Sequence, residues 1–236
     1  MTLEPPASTP TPPPSAPADG GRVRLLVADD HDPYRWGMRV VMEFNPALEI
    51  VGEAANGREA VELACELAPD VVLMDVRMPI VGGIDACRAI RVRVPSAKIV
   101  MLTMSDDEVD LLEAIKAGAC GYLLKELPAE DVSEAVIRVH AGDSLIPARL
   151  AATILRELTR LSDKSPNEGE GALSGRERGV LQMLAQGRST AGAARDLGIS
   201  EDAVRSDLRR ILRTLQSLAG PGAASGAEGL RHRTRG

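Results

Sequence analysis

Aromatic residues are nearly missing from this chain: one Trp, two Tyr and one Phe in 236 residues. That scarcity excludes an aromatic-lined flavin site and the stacking platforms that grip single-stranded nucleic acid. Cysteine is sparse as well. Cys65, Cys87 and Cys120 are odd in number and form no C-x-x-C pair, so small hydrophobes in a reducing cytoplasm are expected rather than redox or metal roles. No apolar run approaches the ~18 residues of a membrane helix; the longest, such as Val71–Met74 and Ile99–Leu102, are strand-sized. The first positive residue is Arg22 and no apolar core precedes it, so no signal or transit peptide is expected. Lysine is absent from Ala172 onward, where eleven arginines face six acids. That segment is +5 within a chain of net charge −6, so only the back of the molecule is suited to a polyanion.

The front of the chain, residues 1–21, is rich in Pro, Ser, Thr and Ala and reads as a disordered extension. From Val23 the pattern alternates short apolar runs with amphipathic stretches. Strands are expected at Val23–Ala28, Glu49–Ala54, Val71–Met74, Lys98–Thr103 and Gly121–Leu124, each followed by a helix. Five such units predict an α/β doubly wound five-stranded parallel sheet over residues 22–142. A helix over 148–161 and a Ser/Pro/Asn/Glu/Gly stretch over 162–171 predict a linker region at 143–171. The remainder is helical. Ser174 with Glu177 forms a capping box ahead of Val180, Leu181 and Leu184, Ser189 or Thr190 caps a short second helix ending at Leu197-Gly198, and Ser200 caps a third. A small all-α helix-turn-helix domain is expected over 172–219, with a disordered basic tail over 220–236.

Asp29 and Asp30 end the first predicted strand and Asp75 the third. In a doubly wound sheet the carboxyl ends of strands gather at the switch in strand order, which brings these carboxylates together. Clustered carboxylates repel unless protonated or holding a cation, and hard oxygen ligands with room for water suit Mg²⁺ better than zinc. Two further strand ends supply the Thr103 hydroxyl and the Lys125 ammonium. A cation, a lysine and a hydroxyl around one carboxylate form a receptacle for a phosphoryl group.

These residues bear a family resemblance. V-A-D-D-H at Val27–His31, L-M-D-V-R-M-P at Leu73–Pro79, L-T-M at Leu102–Met104 and A-G-A-C-G-Y-L-L-K at Ala117–Lys125 resemble the receiver of response regulators of the NarL/FixJ class. The resemblance implies that Asp75 is the phosphoacceptor, that Asp29, Asp30 and Asp75 hold Mg²⁺, and that Lys125 pairs with phosphoryl oxygens. It implies further that Thr103 moves towards the phosphoryl group, with Tyr122 changing rotamer beside it. Trp36 in the first helix and Gly82, where the family often has Asp, depart from the pattern. A haloacid-dehalogenase phosphatase would want a second Asp two residues after the nucleophile, and Arg77 stands there. No turnover enzyme is expected.

In the third C-terminal helix Val204, Leu208, Ile211, Leu212 and Leu215 form an apolar stripe, leaving Arg205, Ser206, Arg209 and Arg213 on another side. In a helix-turn-helix the second helix of the motif enters the major groove, where arginines read guanine or grip phosphate. L-S-G-R-E at Leu173–Glu177, L-G-I-S at Leu197–Ser200 and A-V-R-S-D-L at Ala203–Leu208 resemble the LuxR-type domain, which places Arg205, Ser206 and Arg209 at base-facing positions. Asp207 stands where that family usually has His; on a DNA-facing helix it is expected to repel phosphate, to accept from cytosine or to cap an arginine. Together the expectations are a cytoplasmic, DNA-binding regulator, phosphorylated at Asp75 by a sensor histidine kinase and acting as a homodimer on double-stranded DNA. The alternatives are an orphan regulator controlled by protein partners and an adaptor whose C-terminal domain binds protein.

Overall fold

The computed structural model describes residues 21–104, 107–164 and 173–218. The expected extension over 1–20, the core of the expected linker at 165–172 and the tail from 219 lie outside the described residues. Elements run β1 (Val23–Ala28), α1 (Asp32–Glu43), β2 (Leu48–Ala54), α2 (Gly57–Leu67), β3 (Val71–Asp75), α3 (Gly83–Arg93), β4 (Lys98–Thr103), α4 (Glu108–Lys116), β5 (Gly121–Leu124) and α5 (Ala129–His140). Then follow α6 (Ala148–Lys164), α7 (Gly175–Ala185), α8 (Thr190–Leu197) and α9 (Glu201–Leu218).

The five strands form one parallel sheet in the order β2-β1-β3-β4-β5. Every residue of β3 is buried, as its unbroken apolar run requires of a strand covered on both faces. One face packs against α1 and α5 through Met38, Met42, Val132, Val136 and Val139. The other packs against α2, α3 and α4 through Ala60, Ala64, Cys87, Ile90, Leu111 and Ile115. Burial of Cys87 pushes its thiol up to about 12, consistent with the hydrophobic role expected of it. Because the chain crosses from β1 outward to β2 and back to β3, the strand order reverses between β1 and β3. Their carboxyl ends therefore open a crevice that holds Asp29, Asp30 and Asp75. Gly83 is needed at the crevice floor: a Cβ there would sit 1.8 Å from the Asp75 carbonyl oxygen.

Helix α6 is more than a tether. Leu150, Ala151, Ile154 and Leu158 are buried in the apolar cluster that continues from α4 into Val180, Leu181, Val204 and Leu208. The chain entering α6 also covers part of the β5 edge. Leu145 makes a parallel bridge to Gly121, donating its N–H to the Cys120 carbonyl at 3.3 Å and accepting from the Tyr122 N–H at 3.2 Å.

The C-terminal helices start and stop where their caps dictate. Ser174 and Glu177 form the reciprocal capping box of α7. The Ser189 hydroxyl accepts from the Gly192 N–H to cap α8, and Gly198, in the left-handed region at φ 65°, ends it. The Ser200 hydroxyl accepts from the Ala203 N–H to start α9. Among the described residues no helix is long and apolar enough to cross a membrane.

Candidate functional site

Three carboxylates, Asp29, Asp30 and Asp75, each offer an oxygen within 4.8 Å of the others. Asp29 is fully buried, Asp75 nearly so, and Asp30 faces solvent. Backbone donors aim the two buried groups: the His31 N–H reaches Asp29 Oδ1 at 2.9 Å, and the Arg77 N–H reaches Asp75 Oδ1 at 3.2 Å. Lys125, at the end of β5, spans them, with Nζ 2.7 Å from Asp75 Oδ2 and 2.6 Å from Asp29 Oδ2.

The electrostatics follow from burial and from that lysine. Burial raises the Asp75 pKa, and the neighbouring Asp29 charge adds to it, while Lys125 and the Arg77 N–H oppose the rise. Burial works against the charge on Lys125, but Asp29 and Asp75 outweigh it and hold the lysine above its ordinary value. The short Lys125–Asp29 contact is an ion pair rather than a directed hydrogen bond, because buried Asp29 Oδ2 accepts none. A buried, anionic oxygen of this kind beside a solvent-facing carboxylate, with one lysine against three acids, fits a hard divalent cation that keeps some of its water.

Thr103 ends β4 and is buried beside the crevice. Its side chain hydrogen-bonds that of Tyr122, whose pKa is raised by burial in spite of that bond. Tyr34, in the first turn of α1, was not anticipated from sequence. Its ring lies under Lys125, 5.0 Å from Nζ to the centroid. Burial and then the charges of Asp29 and Asp75 push its phenol up to about 12, so it remains protonated.

The second set of expected residues is on α9. Ser206, Arg209 and Arg213 are exposed. Arg205 is not free: its Nε lies 2.6 Å from Asp143, its Nη1 donates to Asp202 at 3.0 Å, and its Nη2 reaches Glu201 at 3.3 Å. Arg209 donates to the Gly142 carbonyl at 3.3 Å. Asp143 and Gly142 follow α5, so Arg205 and Arg209 of the α9 face expected to meet DNA touch the receiver, while Ser206 and Arg213 face solvent. Of the three roles expected for Asp207, binding an arginine is the one present, but away from the DNA-facing side: Asp207 is buried and takes two 2.7 Å hydrogen bonds from Arg176 on α7. Its place three residues after Val204 and four before Ile211 puts it on the core stripe. A parallel pair joins Arg210 to buried Glu177 at 2.5 Å.

Comparison with known proteins accounts for both halves. The response regulator receiver domain family matches residues 25–137, and the LuxR family of bacterial regulatory proteins matches residues 171–217. The transcriptional regulatory protein LnrK of Bacillus subtilis is 36% identical over 199 residues, covering 82% of this chain and 90% of its own length. The nitrate/nitrite response regulator NarL of Escherichia coli K12 is 33% identical over 192 residues, covering 81% and 88%. Among solved structures, a LuxR-family two-component response regulator from Aurantimonas sp. SI85-9A1 is 34% identical with a TM-score of 0.54, covering 59% of this chain and 99% of that one. An acid crevice on a doubly wound sheet, a helix-turn-helix behind it and relatives spanning both place this chain in the NarL/FixJ family of DNA-binding two-component response regulators.

Proposed function

We propose that Asp75 is the phosphoacceptor of this regulator and that phosphorylation governs access to the α9 face that binds DNA. The observation that carries the reading is the position of Asp75 at the end of β3, in hydrogen-bond contact with Lys125 and clustered with Asp29 and Asp30. An Asp75 oxygen attacks the phosphorus of a phosphohistidine on a sensor kinase. The new P–O bond forms as the P–N bond breaks, and the histidine leaves with the electron pair and is reprotonated. Asp29, Asp30 and Asp75 would hold Mg²⁺, which when bound offsets negative charge around the phosphoryl oxygens. Lys125 pairs with those oxygens from the other side. The chain is a phosphoryl acceptor in this scheme and not a turnover enzyme.

The route to the output follows the hydrogen bonds. Thr103 is shared between the crevice and Tyr122, so a phosphoryl oxygen that attracts its hydroxyl weakens the bond to Tyr122. The Tyr122 N–H is held by Leu145, two residues from Asp143, which contacts Arg205. An ion pair still partly open to solvent contributes only ~0–1 kcal/mol, whereas turning a 1:99 equilibrium into 99:1 takes ~5.5 kcal/mol. The Arg205–Asp143 pair therefore steers the docking, and the apolar seam of α4, α6 and α9 supplies the rest. Once released, Arg205, Ser206, Arg209 and Arg213 meet the major groove of double-stranded DNA, as a homodimer on paired half-sites. The reading places the protein in the cytoplasm, where kinase domain and chromosome are both reachable.

Intact-mass measurement after incubation with acetyl phosphate and Mg²⁺ tests the assignment. The parent chain gains one phosphoryl group and Asp75→Asn gains none, since the amide is no nucleophile. Equal labelling of the two removes Asp75 from this role.

A further inference from the structure

The Tyr34 hydroxyl is buried and finds no hydrogen-bond partner among the described residues. A hydroxyl kept from both water and protein is costly, and a folded protein retains one where some further contact offsets it. The ring of the same residue faces the Lys125 ammonium at 5.0 Å, and that ammonium touches both Asp29 and Asp75. Tyr34 is thus the neighbour of the cation that, among the described residues, pairs with Asp75. It is placed there by the first turn of α1, whose Tyr34 N–H bonds the His31 carbonyl at 3.0 Å, directly after the two acids of the crevice.

We propose that Tyr34 is a positioning residue of the phosphoryl site, a role that rests on Asp75 being the acceptor. Its ring seats Lys125 between the two carboxylates by a cation–π contact. Its hydroxyl stays neutral and donates to an oxygen that arrives with the phosphoryl group on Asp75. A Tyr serving only as a wall of the α1–α5 core would need the ring and not the hydroxyl, which is the distinction a test can use.

Beryllofluoride with Mg²⁺ is a suitable phosphoryl mimic, and the chain has only two tyrosines, so ¹³Cζ-tyrosine NMR gives two resolvable signals. Tyr34→Phe identifies the Tyr34 signal by its loss. On adding beryllofluoride to the full chain the Tyr34 signal shifts. Tyr34→Phe binds the mimic about threefold to tenfold more weakly, the size of one ordinary net hydrogen bond. Tyr34→Leu, which removes the ring as well, binds more weakly still at unchanged secondary structure by circular dichroism. An unmoved Tyr34 signal, with Tyr34→Phe binding as tightly as the parent, overturns the proposal while leaving Asp75 in place. A parent chain that binds no beryllofluoride overturns the Asp75 reading, and this proposal with it.

Discussion

Arg205 of α9 lies 2.6 Å from Asp143, which sits just beyond the last helix of the receiver, and Arg138 approaches the same carboxylate at 3.1 Å from the other side. One acid thus ties the receiver's own helix to an arginine proposed to meet DNA. The geometry of the Arg205 contact is that of an ion pair without a directed hydrogen bond, since buried Arg205 Nε finds no acceptor in line. A contact of that kind is strong enough to orient a helix and weak enough to release it.

Replacing Asp143 with Ala removes this anchor. The unphosphorylated variant should bind a specific duplex up to about fivefold more tightly than the parent, the limit set by a partly solvent-screened ion pair of ~0–1 kcal/mol. Fluorescence anisotropy of a labelled duplex measures it. A variant that binds no better shows that the apolar seam alone holds α9 down.

Arg205→Ala should weaken duplex binding in the phosphorylated protein by ~1–3 kcal/mol and relax preference at one base position if the arginine reads a base. If it grips phosphate, all sequences weaken together and the salt dependence flattens. Titration of DNA at several salt concentrations separates the two outcomes, and parent-like binding would take α9 out of the interface.

Asp30→Ala should weaken Mg²⁺ binding by removing the solvent-facing carboxylate of the crevice. Calorimetry is the better measurement, because Trp36 is 69% exposed and a poor reporter of the crevice. Unchanged affinity would leave the cation to Asp29 and Asp75 alone.

Arg176→Ala leaves Asp207 buried without its two hydrogen bonds, and the C-terminal domain should lose ~1–3 kcal/mol in urea unfolding. Asp207→His, which places the usual LuxR-type residue here, should likewise unfold more easily and not bind DNA more tightly. Tighter binding to every duplex would instead return Asp207 to the DNA face.

Acid should loosen the same domain through Glu177. Burial alone would raise its pKa, but the Arg210 guanidinium and hydrogen bonds with Ser174 hold it below the ordinary 4.5. A carboxylate depressed on folding contributes stability that is complete above its unfolded value and is lost as pH falls through the folded one. Denaturant midpoints should therefore decline below about pH 4.5, with a shallower decline in Glu177→Gln. Identical acid limbs would show that the Arg210 pair adds nothing.

The acid crevice was legible because strand ends are marked by apolar runs that stop at Asp29, Asp75, Thr103 and Lys125, and parallel topology gathers such ends. The caps at Ser174 and Ser189 were legible because they are local. Tyr34 was not, since its partner Lys125 is remote in sequence and the contact depends on how α1 lies across the sheet. Asp207 could have been found: its spacing from Val204 and Ile211 marks the buried stripe, but its charge suggested the solvent side. The contacts of α9 with Gly142 and Asp143 join residues more than sixty positions apart in sequence, and nothing local announces them.

The bridge between Leu145 and Gly121 bears on how such receivers can be exchanged between regulators. A cut after Ala141, where α5 ends, looks like a clean seam, yet it would strip β5 of its last neighbour and leave an unpaired sheet edge open to other chains. A junction placed after Ile146 carries the edge-sealing residues along with the sheet. The unit that travels intact in recombination is therefore a receiver that carries its edge bridge, Leu145 against Gly121, along with the five strands.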